Sequence, residues 1–298
     1  MTIALDKLIA ELEEDPSLEQ PDRVSHRLKA LDHLDALLLH DEFPSASVPQ
    51  AEAGIYRRAR NLCAKLELAN LELYSTIRKE IQRGAGPAAL LHWASELGRD
   101  RSPTGHVIGE GYDALDDLIG GVLQLEKPEK GVAQMEAEMV FYQPTPARHI
   151  FDMIDRTALC EDDVLIDLGS GLGHVPLLTA ICTGARAIGI ELEAAYVDCA
   201  QRSAQAMQLS NVTFILQDAR AADLSEGTVF YLYTPFVGAI LRAVLDRLRA
   251  EAARRRIRVC TFGPCTATVA KEQWLACARG SAVDRMAFFS SRDLGTRH

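Results

Sequence analysis

Residues 164–173 (VLIDLGSGLG) constrain the fold of this 298-residue chain more than any other stretch. Four apolar residues surround the acid Asp167, and this apolar run is typical of a buried strand. Three glycines then follow within five residues. Glycine lets the backbone adopt left-handed conformations and approach a ligand closely. A strand that ends in such a turn and leads into a helix predicts a ligand-binding turn of an α/β fold.

The segments around this motif alternate between strands and amphipathic helices. Strands are predicted at residues 164–168, 187–191, 212–217, 228–233 and 256–262. This alternation predicts an α/β domain with a Rossmann-like, mostly parallel sheet and helices on both faces. A helix is predicted at residues 273–278, and one further strand at residues 283–290. We therefore expect six strands more readily than seven.

The first 130 residues predict helices only. Apolar residues recur every three or four positions, as on one face of a helix, at Leu28, Leu31, Leu34 and Leu38 and again at Leu62, Leu66, Leu73, Ile77 and Ile81. We expect an all-α domain at residues 1–130, followed by the Rossmann-like domain at residues 131–298. The helical domain is interpreted as a pocket lid, a substrate-binding surface or a homodimer interface.

Composition and charge narrow the class of protein. The net charge is −10, and residues 1–130 carry 23 acidic against 15 basic side chains. The basic cluster Arg254, Arg255, Arg256 and Arg258 falls where a helix should end, so a nucleic-acid partner is not expected. No apolar run approaches the roughly 20 residues of a membrane span, and the N-terminus does not resemble a signal peptide. With seven scattered cysteines, these features predict a cytoplasmic protein without a membrane partner.

The glycine spacing and the preceding acid indicate the kind of ligand. A dinucleotide-binding turn reads G-x-G-x-x-G, whereas this one reads G-x-G-x-G and has the bulky His174 at the sixth position. Asp167 would repel a pyrophosphate but suits a ligand that carries an ammonium and a sulfonium. The alternative is an ordinary tight turn that binds nothing.

Two later acids stand in register with this turn. Glu191 ends the next predicted strand, 24 residues after Asp167. Its carboxylate could accept two hydrogen bonds from a ribose diol, although a solvated acid at a strand end is the alternative. Asp218 follows the third predicted strand, where a helix N-cap is the rival role.

At these residues the sequence resembles the class I S-adenosylmethionine-dependent methyltransferases, whose first motif is reproduced as DLGSGLG at residues 167–173. The resemblance implies S-adenosyl-L-methionine as the cofactor, methyl transfer as the reaction and no metal. It also implies cofactor contacts from Asp167, Gly169, Ser170, Gly171, Gly173, Glu191, Asp218 and the backbone of Ala219.

Upstream, YQPTP at residues 142–146 is similar to the Tyr-x-Pro-Thr-Pro segment of archaeal and Dot1-like lysine methyltransferases. In that family the segment closes over the methionine end of the cofactor, so Tyr142 and Thr145 would offer hydroxyls to its carboxylate. A rigid linker is the alternative. The resemblance favours a protein lysine as acceptor over a small molecule acting as an O- or N-acceptor. A cofactor-binding protein without catalysis is a third reading.

The residues after the fourth strand are expected to face the acceptor. YLYTPF at residues 231–236 lacks the Asn or Asp of the N-P-P-Y signature that holds planar amino groups. We expect a wall that desolvates a lysine amine without a dedicated base, formed by Tyr231, Tyr233, Thr234 and Phe236. A structural role is the alternative for either tyrosine. His149 and His174 are candidate bases only for a phenol or carboxylate acceptor.

Overall fold

The structure is a computed structural model that describes residues 2–39, 50–97, 111–125, 143–233, 236–279 and 285–292. Its internal contacts divide the chain into two compact units, Met1–Lys79 and Glu80–His298. The domain boundary predicted at residue 130 lies outside the described residues and stays a prediction. Within the described ranges, no helix combines the length and the apolar character that crossing a membrane requires.

The first unit contains three helices, of which the last continues past the boundary between the units. They are α1 (Thr2–Glu13), α2 (Val24–Leu39) and α3 (Gln50–Gln82), with 3-10 turns at Pro16–Glu19 and Pro21–Arg23. The predicted apolar face of α3 is confirmed, because all five of its residues are buried. The helical character predicted for this part of the chain is therefore correct.

The predicted face of α2 is only partly right. Leu34 is buried, but the face also includes Arg27, which is 0% exposed. The Arg27 guanidinium donates to the backbone oxygens of Leu18 at 2.8 Å and Gln20 at 2.6 Å. Its Nε donates to Asn70 Oδ1 at 2.7 Å. A long cationic side chain can be buried when its donors find such partners, and leucine periodicity does not reveal this.

The second unit contains seven further helices and seven strands among the described residues. In chain order they are α4 (Gly86–Leu97), α5 (Ala114–Leu123), α6 (Ala147–Thr157), β1 (Val164–Leu168), α7 (His174–Cys182), β2 (Arg186–Glu191), α8 (Ala194–Ala206), β3 (Val212–Leu216), β4 (Val229–Tyr233), α9 (Gly238–Ala252), β5 (Arg258–Phe262), α10 (Thr266–Val269), β6 (Leu275–Arg279) and β7 (Ala287–Ser291). The five strands predicted first are confirmed to within two residues at each end.

The sheet has the strand order β3-β2-β1-β4-β5-β7-β6. Strands β1 to β5 are parallel, and β7 runs antiparallel to both β5 and β6. The predicted fold class is confirmed. The expectations of six strands and of a helix at residues 273–278 are wrong. A five-residue strand such as β6 is specified by its pairing with β7 more than by its own periodicity.

The central strand β1 positions the predicted site. It lies between β2 and β4, and all five of its residues are buried. The chain leaves β1 toward β2 on one side, while β4 follows on the other, so the sheet order reverses here. Ligands of such sheets bind beyond the carboxyl ends of the strands at this reversal. Asp167, Glu191 and Asp218 all lie at or just after these ends.

Candidate active site

The turn after β1 has the backbone geometry that its glycines predict. Gly169, Gly171 and Gly173 have φ angles of 93°, 52° and 87°, in the left-handed region that other residues rarely adopt. The N–H groups of Gly169 and Ser170 both donate to the backbone oxygen of Ile190, at 2.9 and 3.0 Å. The turn is therefore tied to the end of β2.

Gly173 in the turn and Gly189 in β2 leave room for one aromatic ring. A Cβ at Gly173 would lie 2.6 Å from the Phe214 side chain, and a Cβ at Gly189 would lie 2.5 Å from it. Phe214 is the one fully buried residue of the edge strand β3. Close packing, rather than approach to a ligand, is thus sufficient to explain Gly173 and Gly189.

Asp167 is a buried carboxyl group whose charge is poorly compensated. It is 3% exposed, and its pKa is raised well above the usual value, first by burial and then by the negative charge of Glu191. Among the described residues, none lowers this pKa through a hydrogen bond or an opposite charge. Leaving a carboxylate buried and unpaired is costly. A positively charged ligand at this position would remove that cost.

Ser170 presents a second unsatisfied group in the same turn. Its side chain is buried, and its Oγ has no hydrogen-bond partner within the described part of the chain. Buried hydroxyls are normally paired, so this one could accept a partner from a ligand bound at the turn.

Glu191 joins the turn after β1 to the turn after β2. Its Oε2 accepts a hydrogen bond from the N–H of Gly171 at 2.8 Å. Its Oε1 accepts from the N–H groups of Leu192 at 2.6 Å and Glu193 at 2.9 Å. A carboxylate has about four acceptor positions. Glu191 can therefore hold both turns and still accept a hydrogen bond from a ligand hydroxyl.

Asp218 already has a positive partner. Its Oδ2 lies 2.6 Å from Arg220 Nη2, and its Oδ1 accepts from the Arg220 N–H at 2.7 Å. The hydrogen bonds from Arg220 lower the pKa of Asp218. The local structure is a turn closed by the aspartate side chain, and no helix begins in the described residues directly after it. Ala219 is buried beside it.

On the opposite side of β1, Thr145 meets Tyr231. The two hydroxyl oxygens are 2.8 Å apart, and both side chains are buried. Either hydroxyl can be the donor. Burial raises the pKa of Tyr231 well above its usual value, so the phenol stays neutral. Tyr142, the other predicted hydroxyl donor, lies outside the described residues.

The predicted acceptor wall is only partly assembled by aromatic contacts. The Tyr233 ring packs on the Phe262 ring, with 4.8 Å between the ring centroids. The His149 ring packs on the same Phe262 ring, with 4.3 Å between the centroids. Phe236 is 5% exposed and belongs to the apolar core around β4 and α9. Thr234 lies outside the described residues. Burial lowers the pKa of His174 to about 4, which keeps this imidazole neutral at pH 7.

Sequence reasoning missed the residues that contact both sides of Thr145. Tyr112 Oη donates to the Pro144 backbone oxygen at 2.8 Å, and the Ala147 N–H donates to Asp116 Oδ1 at 2.6 Å. Asp113 and Asp116 form the capping box that begins α5. Two acids three residues apart before an apolar run could have signalled this helix start. Nothing local signals the contact with residues 144–148.

The family model described as "Histone methylation protein DOT1" matches residues 137–221. The match includes the YQPTP segment, the turn after β1 and the positions of Glu191 and Asp218, and it ends before β4. No curated protein matches the chain.

Solved structures similar to this chain include three methyltransferases. An RNA methyltransferase from Salinibacter ruber, in complex with S-adenosyl-L-homocysteine, is 27% identical over 50% of this chain and 92% of that chain, with a TM-score of 0.40. The putative methyltransferase yhhF from Escherichia coli is 17% identical over 50% and 87%, with a TM-score of 0.41. A methyltransferase from Geobacter sulfurreducens is 13% identical over 49% and 78%, with a TM-score of 0.38. The fold assignment rests on the strand order of the sheet rather than on these superpositions.

Proposed function

We propose that this chain, a class I S-adenosylmethionine-dependent methyltransferase, transfers the methyl group to the side-chain amine of a protein lysine. The enzyme class and the cofactor follow from the family-model match together with the seven-stranded sheet. The observation that supports lysine is the match to the histone methylation model, because it spans both the YQPTP segment and the glycine turn.

The residues around β1 fit the proposed cofactor. When bound, S-adenosylmethionine supplies a methyl group on a positively charged sulfur. Asp167 would compensate the positive charge of the methionine end, which its unpaired and buried carboxyl group is suited to do. The unpartnered Ser170 Oγ would gain a hydrogen-bond partner at the same turn.

The nucleoside end would lie along the other strand ends. Glu191 would accept hydrogen bonds from the ribose hydroxyls through its remaining acceptor positions. Asp218 and the Ala219 N–H would face the adenine. Thr145, and Tyr142 as the resemblance implies, would offer hydroxyls to the carboxylate of the methionine end.

The acceptor side would work by positioning and by excluding water. The amine must be neutral when it attacks the methyl carbon in line with the leaving sulfur, and a desolvating aromatic wall lowers the pKa of an ammonium. Tyr231 lies in the middle of β4 and Tyr233 at its end, where Tyr233 packs on Phe262. Once the new N–C bond has formed, the methylated ammonium can lose its extra proton to water, so no protein base is needed.

The acceptor class can be tested by incubating the protein with methyl-labelled cofactor and a lysate of the producing organism. Protein, nucleic-acid and small-molecule fractions are then counted separately, with Gly171→Val as the control that should not bind cofactor. We expect label in the protein fraction, located on lysine Nε by mass spectrometry. Label confined to either other fraction would overturn the lysine proposal. Cofactor binding without any transfer would favour the non-catalytic reading.

The acidic side chains of residues 1–130 allow a second test with a labelled protein substrate. If they attract a basic substrate, KM for that substrate should rise several-fold between low salt and about 0.3 M salt, because salt screens long-range attraction. A KM that stays constant would argue against electrostatic recognition of a basic protein.

A further inference from the structure

The residues at the start of α5 make at least three hydrogen bonds to the segment around Thr145. Tyr112 Oη donates to the Pro144 backbone oxygen at 2.8 Å. The Ala147 N–H donates to Asp116 Oδ1 at 2.6 Å, and Arg148 Nη1 donates to Asp113 Oδ2 at 3.1 Å. Thr145 therefore lies between residues that are held on both sides.

The local structure of α5 fixes both carboxylates in place. Asp113 Oδ1 accepts from the Leu115 N–H at 2.9 Å, and Asp116 Oδ2 accepts from the Asp113 N–H at 2.8 Å. Each acid thus uses one oxygen for its own helix start and the other for α6. The helix itself is anchored, because its apolar residues Leu115, Leu118 and Ile119 are 0% exposed.

The segment that these residues hold has few hydrogen bonds of its own. Pro144 and Pro146 have no N–H group to donate. The position of Thr145 therefore depends on outside partners on its two sides and on its own hydroxyl. That hydroxyl lies 2.8 Å from the Oη of Tyr231, the middle residue of β4. A displacement of the segment would change the contact between Thr145 and Tyr231 directly.

We propose that Tyr112, Asp113 and Asp116 form a clamp that positions Thr145 for cofactor binding. They act as positioning residues, since they hold the segment rather than touch the reacting atoms. The three clamp residues lie outside residues 137–221, which the family model matches. The clamp concerns the cofactor and does not depend on which acceptor is methylated.

Burial raises the pKa of Asp116 to about 6, although the N–H groups of Ala147 and Asp113 and the charge of Arg148 oppose this rise. The negative charge of Asp113 also contributes to it. The carboxylate is therefore mainly ionised at pH 7.5, where both oxygens can accept hydrogen bonds. The clamp should be tested at that pH.

The sharpest variant is Tyr112→Phe, which removes one hydroxyl from a side chain that is 48% exposed and keeps the ring. A single hydrogen bond corresponds to a change of about 2- to 12-fold. We expect the affinity for S-adenosylhomocysteine, measured by calorimetry, to fall by about that factor while Tm stays unchanged. In turnover assays KM for the cofactor should rise more than kcat falls.

Asp116→Asn and Asp116→Ala extend the test. The amide keeps one acceptor oxygen and should retain more affinity than alanine, so a graded loss is expected, reaching about tenfold or more for alanine. Asp117→Asn is the matched control, because it makes the same charge change at an exposed position one residue further along α5. Its affinity should stay within about twofold of the wild type.

A purely structural role predicts a different pattern. The clamp is overturned if Tyr112→Phe and Asp116→Asn leave the affinity for S-adenosylhomocysteine and the KM for the cofactor within twofold of the wild type, whether or not Tm falls. Should the Asp116 variants fail to fold, the result for Tyr112→Phe decides alone. Because the binding measurement uses no acceptor, it is independent of the lysine proposal.

Discussion

The turns after β1 and after β3 each carry an acid that the sequence predicts to contact the cofactor, but the surroundings of the two acids differ. Asp167 is 3% exposed and has a raised pKa, without a compensating cation among the described residues. Asp218 is partly buried and paired with Arg220 at 2.6 Å, which lowers its pKa. The ionised form of the first carboxyl group lacks a compensating charge among the described residues, whereas that of the second is already compensated by Arg220. A predicted contact therefore says little about how much binding energy it contributes.

The largest expected effect is at Asp167. Asp167→Asn should weaken binding of S-adenosylhomocysteine by about 2–5 kcal/mol, because the buried partner of a ligand charge is lost. The same change should raise Tm of the ligand-free protein, since it removes a buried carboxyl group whose ionisation is unfavourable there, with a gain in stability of about 1 kcal/mol. Calorimetry and thermal unfolding measure the two quantities. A variant that is less stable and binds normally would break the comparison.

The pH dependence of the wild type sharpens the same point. Because burial raises the folded pKa of Asp167 above its unfolded value of about 4, its neutral form is favoured in the folded state. Its contribution to stability is therefore full below about pH 4 and is lost as the pH rises toward the folded pKa. A cationic ligand favours the ionised form, so cofactor affinity should rise with pH in that range and binding should release protons. Calorimetry in buffers of different ionisation enthalpy detects this release, which Asp167→Asn should abolish.

An intermediate effect is expected at Glu191, which serves both the protein and the ligand. Glu191→Gln should weaken cofactor binding by about 1–3 kcal/mol, because the charge that strengthens the ribose hydrogen bonds is lost. The amide can accept from fewer of the three N–H groups that the carboxylate now holds, so Tm should also fall. Glu193→Gln is the control for the same chemical change two residues away. Equal losses in the two variants would remove the specific role of Glu191.

The smallest effect is expected at Asp218. Asp218→Asn should change cofactor affinity by about 1 kcal/mol or less, because its carboxylate is already paired with Arg220 and this ion pair is partly accessible to water. Arg220→Ala should leave affinity unchanged or slightly improved, since it frees the carboxylate for the adenine amino group. If Asp218→Asn instead matches the loss at Asp167, the contrast between the two turns does not hold. The same calorimetric titration decides.

Much of the sheet could be predicted because its strands are apolar runs, of which β1, β4 and β5 are mostly buried. The five strands up to Phe262 have strong local patterns, and their alternation with helices specifies a parallel sheet. Strand β6 could not be predicted, because a segment of five residues next to its partner is ambiguous in isolation. The sequence pattern also predicts too early a start for the last strand. It predicts a start at residue 283, which lies outside the described residues, whereas β7 begins at Ala287.

In the candidate site, too, some residues could be predicted from the sequence and some contacts could not. The positions of Asp167, Glu191 and Asp218 could be predicted because each lies at or just after the end of a strand. The pairing of Asp218 with Arg220 could not, since many side chains could have competed for that carboxylate. Tyr112 and Asp116 were missed for a related reason: contacts between segments some 30 residues apart depend on the folded arrangement and have no periodic signature.

The packing of Phe214 against Gly173 and Gly189 limits how this sequence can diverge. If either glycine were replaced while Phe214 is present, the new Cβ would lie within 2.6 Å of the aromatic ring. We therefore expect selection to remove such single substitutions. Replacing Phe214 by a smaller residue first would remove the ring from the Cβ position of Gly189, although Ser170 Oγ, 2.6 Å from that position, would also have to move. Gly173 would remain restricted by its φ of 87°. Along a lineage we therefore expect residues 189 and 214 to change in a fixed order, with the ring lost before the glycine.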